Sequence, residues 1–418
     1  ELSSRTAAAA PVLFVKEQAE DHVTVVGSQR AGDVTMTMET RVEFDGFARH
    51  ELTISPTRTG ATLDGLTLRL PFRPDAAKYY HFWGGNAYGR PAWEVANFLD
   101  KDITTGFESF VWIGDDRRGF CWFAEAPENW SNPDDKDLIR MVRRDGRTDL
   151  EIDILRGTQT IAKPVKIVFG TMATPAKPRR EGWRTWEGKF SQDWGYFTAF
   201  STFHPPRDPE AFRRNVQNPF VTTMLSCFFY GTCFYEDGRP TPEMWLWHPL
   251  WTSHWEKPGP PIGPHAGQKG NHCAYASITA ASTWPDFYLY GLKGYREKYN
   301  LRSLYLDTCI RGVLNPLVGM AWTDATGKLR EKTDIFAFRE MTRRIYNFIH
   351  EDSEAFVTMH HSNQVAIPIL SFVDMHMNGE HFNTGPHQVQ GRNYIDVMPP
   401  GTMRAAYMLH QWGVIPAF

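Results

Sequence analysis

The sequence has few cysteines for its length, and none of them stand in a CxxC pair. Five cysteines occur in 418 residues, and an odd number excludes a framework in which every cysteine is paired. Cys227 and Cys233 are close in sequence, and whether they pair across a loop stays open. The other cysteines are expected to be buried thiols.

The chain also lacks long apolar runs and blocks of like charge. No stretch approaches the ~20 apolar residues of a membrane helix, and the net charge is only −3. Without a clustered basic patch we expect no nucleic-acid partner, and without a span no membrane. No basic segment followed by an apolar run begins at Glu1, so a secreted or periplasmic location is favoured only if a leader was removed.

A glycine-rich phosphate fingerprint and the helical spacing of a zinc protease motif are missing too, so we expect no cofactor and no metal. What the chain has in excess is aromatic residues, at 14% with 15 tryptophans. Tryptophan in loops offers a flat apolar floor on which the C–H face of a sugar ring stacks. Many of these side chains are expected in the core, and the composition makes a carbohydrate one candidate ligand.

Residues 1–180 have the pattern of an antiparallel β-sandwich domain. Short alternating or β-branched runs, such as residues 66–70 and 150–154, are separated by turn residues such as Asp64-Gly65. The Pro-rich, basic segment 173–182 then predicts a linker at a domain boundary.

Residues 181–418 alternate between apolar runs and helical patterns. Residues 283–299 begin with a capping Thr283, and residues 334–350 repeat apolar side chains with the period of a helix. This alternation predicts parallel strands joined by helices, and we interpret it as a (β/α)8-type (TIM) barrel that carries catalysis. Only roughly six or seven strands can be counted where a barrel has eight. We therefore expect the barrel to be incomplete at the C-terminus, or to be completed by an oligomer partner or second chain.

Three carboxylates are candidates for catalysis because they follow apolar runs, where a barrel has its active site. Asp307 comes directly after residues 303–306, and Glu380 follows Gly379 in a loop. Asp374 is the substitute for either. Asp307 is predicted to be the nucleophile or base, and Glu380 the acid/base, of a glycosidase.

Polar and aromatic residues near these acids are predicted to bind the substrate. Some of the same side chains leave an N/O metal site as a weaker alternative, and packing of the tryptophans in the core as another. The predicted substrate-binding residues are His360, His361, Asn363, His376, Trp245, Trp247, Trp251 and Arg311.

Several segments resemble a known group of proteins. The run VWIGDDRRGFCWF at 111–123, with Glu128-Asn129-Trp130, resembles the sandwich domain of bacterial glycoside-hydrolase-like proteins near glycoside hydrolase family 123. The exit at 169–178 resembles the same group's strand into its linker. Its barrel motifs are similar to Tyr305-Leu306-Asp307, Asn378-Gly379-Glu380 and residues 339–346.

The resemblance implies a β-sandwich followed by a barrel, and hydrolysis of a glycosidic bond in an oligo- or polysaccharide. Related alpha-galactosidase-like barrels place a nucleophilic Asp after the fourth strand and the acid/base after the sixth. If one early strand lies near residues 194–200, these positions match Asp307 and Glu380. Family 123 instead uses an adjacent Asp-Glu pair, which this sequence lacks at Asp307. The alternative is a non-catalytic carbohydrate-binding or structural subunit on a glycosidase scaffold.

Overall fold

The N-terminal half of the chain is built on a nine-stranded antiparallel sheet. The computed structural model describes residues 12–83, 94–144, 146–186, 191–193, 209–219, 221–224, 249–252, 278–307, 312–361, 365–378, 398–408 and 410–417. In spatial order the strands of this sheet are β1 (Val12–Gln18), β2 (His22–Ala31), β3 (Val34–Glu43), β4 (Phe47–Pro56), β15 (Val165–Thr174), β11 (Gly119–Phe123), β10 (Phe110–Gly114), β7 (Tyr79–Trp83) and β8 (Glu94–Phe98).

A four-stranded sheet packs against one face of the large sheet and completes the sandwich. Its order is β6 (Leu66–Phe72), β13 (Arg147–Leu155), β12 (Ile139–Arg144) and β9 (Ile103–Thr105), and a short ladder joins β5 (Thr62–Leu63) to β14 (Gln159–Thr160). Leu150 and Ile152 of β13 point into the core between the two sheets. The predicted antiparallel sandwich is confirmed.

The large sheet is buried on both faces at its centre. Along β10, Val111 and Ile113 belong to the sandwich core, whereas Phe110 and Trp112 belong to a second core shared with the C-terminal half. Successive strand residues point to opposite faces, so a strand buried on both sides must be continuously apolar, as this one is. The large sheet is therefore the wall between two cores.

The C-terminal half contains a six-stranded parallel sheet whose strands follow one another in chain order. They are β16 (Ser191–Asp193), β17 (Val221–Met224), β18 (Ser303–Asp307), β22 (Val357–His360), β23 (Met375–Met377) and β24 (Ile415–Ala417). Parallel strands in sequential order are typical of βαβ units. Six strands within the described ranges fall short of the eight of a closed barrel, so the barrel itself is not established.

The helices cover this sheet, and a small ribbon extends from one of its connections. The helices are α1 (Pro209–Asn215), α2 (Trp284–Tyr299), α3 (Ile335–Ile349) and the single turn α4 (Pro400–Thr402), and the ribbon has the order β19 (Gly312–Val313), β21 (Leu329–Thr333) and β20 (Ala321–Thr323). The predicted helices 283–299 and 334–350 are confirmed to within a residue at each end. The apolar stripe of α3 is buried in the second core, as its period predicts. None of the helices in the described ranges is long and apolar enough to cross a membrane.

The predicted linker is docked on the C-terminal half. The guanidinium of Arg180 donates to the carbonyl oxygens of Ala355 at 2.7 Å and Ser353 at 2.7 Å, and lies over the ring of Phe356. Lys177 lies against the ring of Tyr346 at 4.4 Å. The basic residues of this segment therefore tie the two halves together, where the sequence suggested a plain connection.

Candidate active site

The carboxyl end of the parallel sheet brings together residues from three neighbouring strands. Asp307 of β18 is at the register position of His360 on β22, which in turn is level with Met377 on β23. Leu304 and Leu306 of β18 point into the second core, so the alternate residues of this strand belong to the opposite face. Asp307 thus ends its strand as predicted, beside a histidine that also ends its strand.

Tyr305 supports His360 from below. Its ring centroid lies 6.1 Å from that of His360, and its hydroxyl donates to Sδ of Met377 at 3.8 Å. Tyr305 is almost fully buried, and His360 retains 8% of its exposure. The phenol ring of Tyr305, the imidazole of His360 and the thioether of Met377 form the floor of the candidate site. Tyr305 lies two residues before Asp307 on the same strand. Tyr305 lies inside an apolar run, so nothing in the sequence marks it as a residue of the candidate site.

His361 and His376 form a second, deeper pair. Their ring centroids are 4.5 Å apart, and both rings are buried. Burial, together with the neighbouring His376 and His360, holds the pKa of His361 well below its usual range. His376 aligns with Met359, whose side chain faces the second core. The predicted sugar contacts of His361 and His376 would need an opening to this pair, which lies inside the protein rather than on its surface.

The buried histidine predicts an acid-sensitive fold. Because the folded pKa of His361 is depressed, the unfolded state binds the extra proton below its ordinary pKa of about 6.5, and stability is lost as the pH falls. We expect the free energy of unfolding to fall by about 1 kcal/mol per pH unit below that value from this group. Urea denaturation at several pH values should show a shallower loss in His361→Asn than in the wild type. His410→Asn, at an exposed position, serves as the control, and equal slopes in all three proteins would contradict the assignment.

Asp374 lies at the opposite end of the sheet from Asp307. It precedes β23 and pairs with Val357 through two hydrogen bonds, from its own N–H at 2.9 Å and to its carboxylate at 2.9 Å. Asp374 precedes Met377 by three positions, which is about 10 Å along a strand. The predicted strand, residues 371–375, begins with the last two residues of a 3-10 turn, Ile367–Phe372, so β23 starts only at Met375, after Asp374. The prediction that Asp374 substitutes for a catalytic acid is thereby corrected.

The carboxylate of Asp374 is fully engaged inside the protein. It accepts a hydrogen bond from Nε2 of His350 at 2.7 Å and lies 3.5 Å from Nζ of Lys177, with the hydroxyl of Tyr346 at 3.4 Å. Burial opposes its ionisation, but the bond from His350 and the charge of Lys177 outweigh burial and lower the pKa of Asp374. Burial in turn lowers the pKa of Lys177, which Asp374 counters. This cluster joins the docked segment to the amino end of the sheet.

Trp251 is a core residue. It is 3% exposed, packs against Trp284 and Phe287 with ring centroids 5.2 and 4.8 Å away, and its indole N–H donates to Oγ1 of Thr283 at 2.9 Å. A sugar platform needs an open ring face, so the predicted sugar contact of Trp251 is corrected in favour of packing.

The other predicted site residues lie outside the described residues, as do Cys227 and Cys233. Those site residues are Glu380, Asn363, Arg311, Trp245 and Trp247. Within the described ranges, no group of three or more His, Cys, Asp or Glu side chains has the geometry of a metal site.

Glu125 is a buried acid that the sequence did not single out. Its carboxylate accepts the N–H groups of Ile335 and Phe336 at 3.1 and 3.0 Å, and so caps the first turn of α3 from the sandwich side. Burial raises the pKa of Glu125 to about 7, and the nearby Asp334 adds to this. Asp334 is itself held by Oγ1 of Thr279 at 2.7 Å. A helix-capping acid can be recognised from the sequence only when it directly precedes the helix. Glu125 lies far from α3 in the chain.

One family model matches the sandwich part of the chain. Residues 4–175 match the model of glycoside hydrolase 123, third domain. The resemblance to distant glycoside-hydrolase-like proteins, expected from residues 111–130, is confirmed for this part of the chain. No curated protein matches the sequence.

Among solved structures, the chain is similar to three bacterial glycosidases. For the family 36 alpha-galactosidase of Geobacillus stearothermophilus, bound to 1-deoxygalactonojirimycin, the TM-score is 0.39 at 9% identity, over 90% of this chain and 62% of that one. The alpha-galactosidase of Lactobacillus brevis gives 0.38 at 9%, over 88% and 59%. The alpha-N-acetylgalactosaminidase of Bifidobacterium bifidum gives 0.32 at 10%, over 98% and 75%. The chain thus spans less than two thirds of the two galactosidases.

Proposed function

We propose that the protein is a glycoside hydrolase that cleaves a glycosidic bond in an oligo- or polysaccharide, with residues 1–180 as its sandwich and 181–418 as its catalytic domain. The observation that carries this proposal is the position of Asp307, which ends a central parallel strand level with His360. In barrel-type enzymes this end of the strands carries the catalytic groups. The family match of the sandwich adds support for the glycosidase class.

Glycosidic bond hydrolysis needs two carboxylates with different protonation states. The acid protonates the leaving oxygen while the second carboxylate attacks the anomeric carbon or activates the water that does so, and water supplies the new hydroxyl. We assign Asp307 as nucleophile or base and Glu380 as acid/base. His360 binds substrate hydroxyls above its tyrosine floor, with Asn363, Arg311, Trp245 and Trp247 as further contacts.

A second candidate is a carbohydrate-binding subunit without catalysis. Two observations favour it: the family match covers the sandwich rather than the half that carries Asp307, and six parallel strands are described instead of eight. The two functions differ in the separation of the carboxyls of Asp307 and Glu380. Retaining enzymes hold such a pair ~5 Å apart and inverting enzymes roughly 6.5–9.5 Å apart.

Replacing Glu380 with Gln tests the catalytic function. Because Gln cannot donate the proton, hydrolysis of alkyl glycosides and oligosaccharides, which have poor leaving groups, is expected to fall about 100-fold or more. Nitrophenyl glycosides, whose leaving group departs without protonation, should be much less affected. The measurement is kcat/KM on a panel of matched alkyl and nitrophenyl glycosides. An equal loss on both, or none, would contradict the acid/base role, and a wild-type protein that binds sugars without turnover would favour the binding subunit.

A further inference from the structure

A crevice of about 540 Å³ lies between the sandwich and the ribbon β19–β21. The sandwich wall includes Phe107, Glu125 and residues 133–136, and the ribbon wall includes Trp322 and residues 328–333. The ribbon belongs to the connection that leaves β18 immediately after Asp307. The crevice is therefore built by the same connection that follows the candidate catalytic strand.

The two walls are fixed to each other by direct bonds. The N–H of Thr333 donates to the carbonyl oxygen of Glu125 at 2.7 Å, and Oγ of Ser109 lies 2.7 Å from Oγ1 of Thr333. Nζ of Lys332 donates to Glu128 at 2.7 Å. A cavity between bonded walls needs little reorganisation to accept a ligand, which is the usual state of small-molecule sites.

The acids of the crevice are already committed within the protein. Asp134 accepts from Arg330 at 3.2 Å, and Asp135 accepts from Arg156 at 2.9 Å. The carboxylate of Glu125 is bound to the first turn of α3. The carboxylate of Glu331 lies beside Gly312, and Glu331 also has a partner within the protein. Each of these acids therefore already has a partner in the part of the chain that the structure describes.

Two cations of the crevice are not committed. Lys136 on the sandwich wall and Lys328 on the ribbon wall have exposed side chains, and the ammonium group of neither forms a hydrogen bond or ion pair with the part of the chain that the structure describes. A free ammonium group on each wall can form a charge-assisted hydrogen bond with an anionic group of a ligand. The ring of Phe107, held edge-on by Trp130 at 5.6 Å, adds an apolar surface on the sandwich side.

We propose that this crevice is a binding subsite for an anionic sugar unit, carrying a carboxylate or a sulfate, with Lys136 and Lys328 as its charge contacts. A volume of about 540 Å³ is too large for a lone phosphate and suits a ligand of one to a few rings. The inference rests on the proposed function in that the ligand is taken to be a saccharide. It adds that the substrate is acidic and is held at a second position, away from Asp307.

Binding measurements with defined oligosaccharides test the subsite. Isothermal titration of the whole protein is done with tetragalacturonate, a chondroitin sulfate tetrasaccharide and fully methyl-esterified tetragalacturonate, at two salt concentrations. We expect an acidic probe to bind, to weaken with salt, and to bind about tenfold more weakly to Lys136→Ala/Lys328→Ala, since each lost charge-assisted bond costs severalfold or more in affinity. Tetragalacturonate carries carboxylates only, whereas the chondroitin sulfate probe carries carboxylates and sulfates, so binding of the second probe alone would assign the sulfate. Lys163→Ala, an exposed lysine outside the crevice, should bind as the wild type does.

Three results would overturn the subsite: no binding of either acidic probe, equal binding of the esterified probe, or wild-type affinity in the double variant. Melting temperatures show whether the variants remain folded. Because the experiment measures binding, its result does not depend on whether the protein is catalytically active. Binding of an acidic probe by a protein that turns over neither the probes nor any glycoside of the panel leaves the subsite and removes the proposed hydrolase. Turnover of glycosides with no binding of either acidic probe removes the subsite alone.

Discussion

Replacing Asp307 with Asn is expected to lower kcat by about 1,000-fold or more with little change in KM. Asn keeps the shape of the side chain and removes the charge that attacks the anomeric carbon or activates water, so the loss falls on the transition state rather than on substrate binding. The ladder of β18 with β17 and β22 is made by backbone groups, and the strand should persist. Steady-state kinetics on an oligosaccharide that the wild type cleaves measures the effect.

The matched control is Asp352→Asn, the same change at the amino end of the sheet. Asp352 pairs with Arg302 at 2.5 Å and is partly exposed, so its loss should leave kcat close to that of the wild type. A comparable fall in both variants would show that the sheet as a whole, and not the position of Asp307, determines activity. Near-normal turnover of the Asp307 variant would remove Asp307 from the mechanism.

Replacing Asp374 with Asn is expected to destabilise the fold by about 3 kcal/mol at pH 7 while leaving kcat of the folded fraction unchanged. The change leaves Lys177 buried beside His350 without its counter-charge, and breaking one partner of a buried pair costs about 3–5 kcal/mol. The Asp374 side chain is 1% exposed and that of Lys177 20%, so water can relieve little of this cost. Chemical denaturation gives the free energy of unfolding, and kinetics at low temperature gives kcat.

A surface ion pair provides the comparison. Asp286 contacts Arg344 at 2.7 Å with both side chains exposed, and Asp286→Asn should cost less than about 1 kcal/mol. If the Asp374 variant were as stable as this control, the buried cluster would contribute nothing measurable. A stable Asp374 variant without turnover would return Asp374 to the catalytic candidates.

The sequence predicts a helix or strand well when the apolar side chains of that element repeat at regular spacing and all pack into one core. Helix α3 has a single apolar stripe against the second core, so its bounds follow from the period alone. In β13 the alternation likewise separates the apolar residues that enter the sandwich core from the acids Glu151 and Asp153, which pair with Arg140. Such patterns are local, and local patterns are what a single sequence records.

The predictions that were wrong concern residues whose environment is set by contacts with segments distant in the chain. The apolar run 371–375 is locally compatible with a strand, but packing places Ser371 and Phe372 at the end of a buried 3-10 turn. Asp374 was therefore assigned to the wrong end of its strand. Trp251 has the composition of a sugar platform, but Trp284 and Phe287 cover it, and no local signal distinguishes the two outcomes.

The double burial of the large sheet has a consequence for dissecting the protein. Residues 4–175 correspond to a family domain, yet one face of that domain carries Phe47, Phe110, Trp112 and Phe123 into the core that it shares with the C-terminal half. If this segment were expressed alone, those rings would be exposed to water as a broad apolar patch that favours aggregation. The segment that matches the domain model is therefore expected to aggregate unless the C-terminal half covers this face.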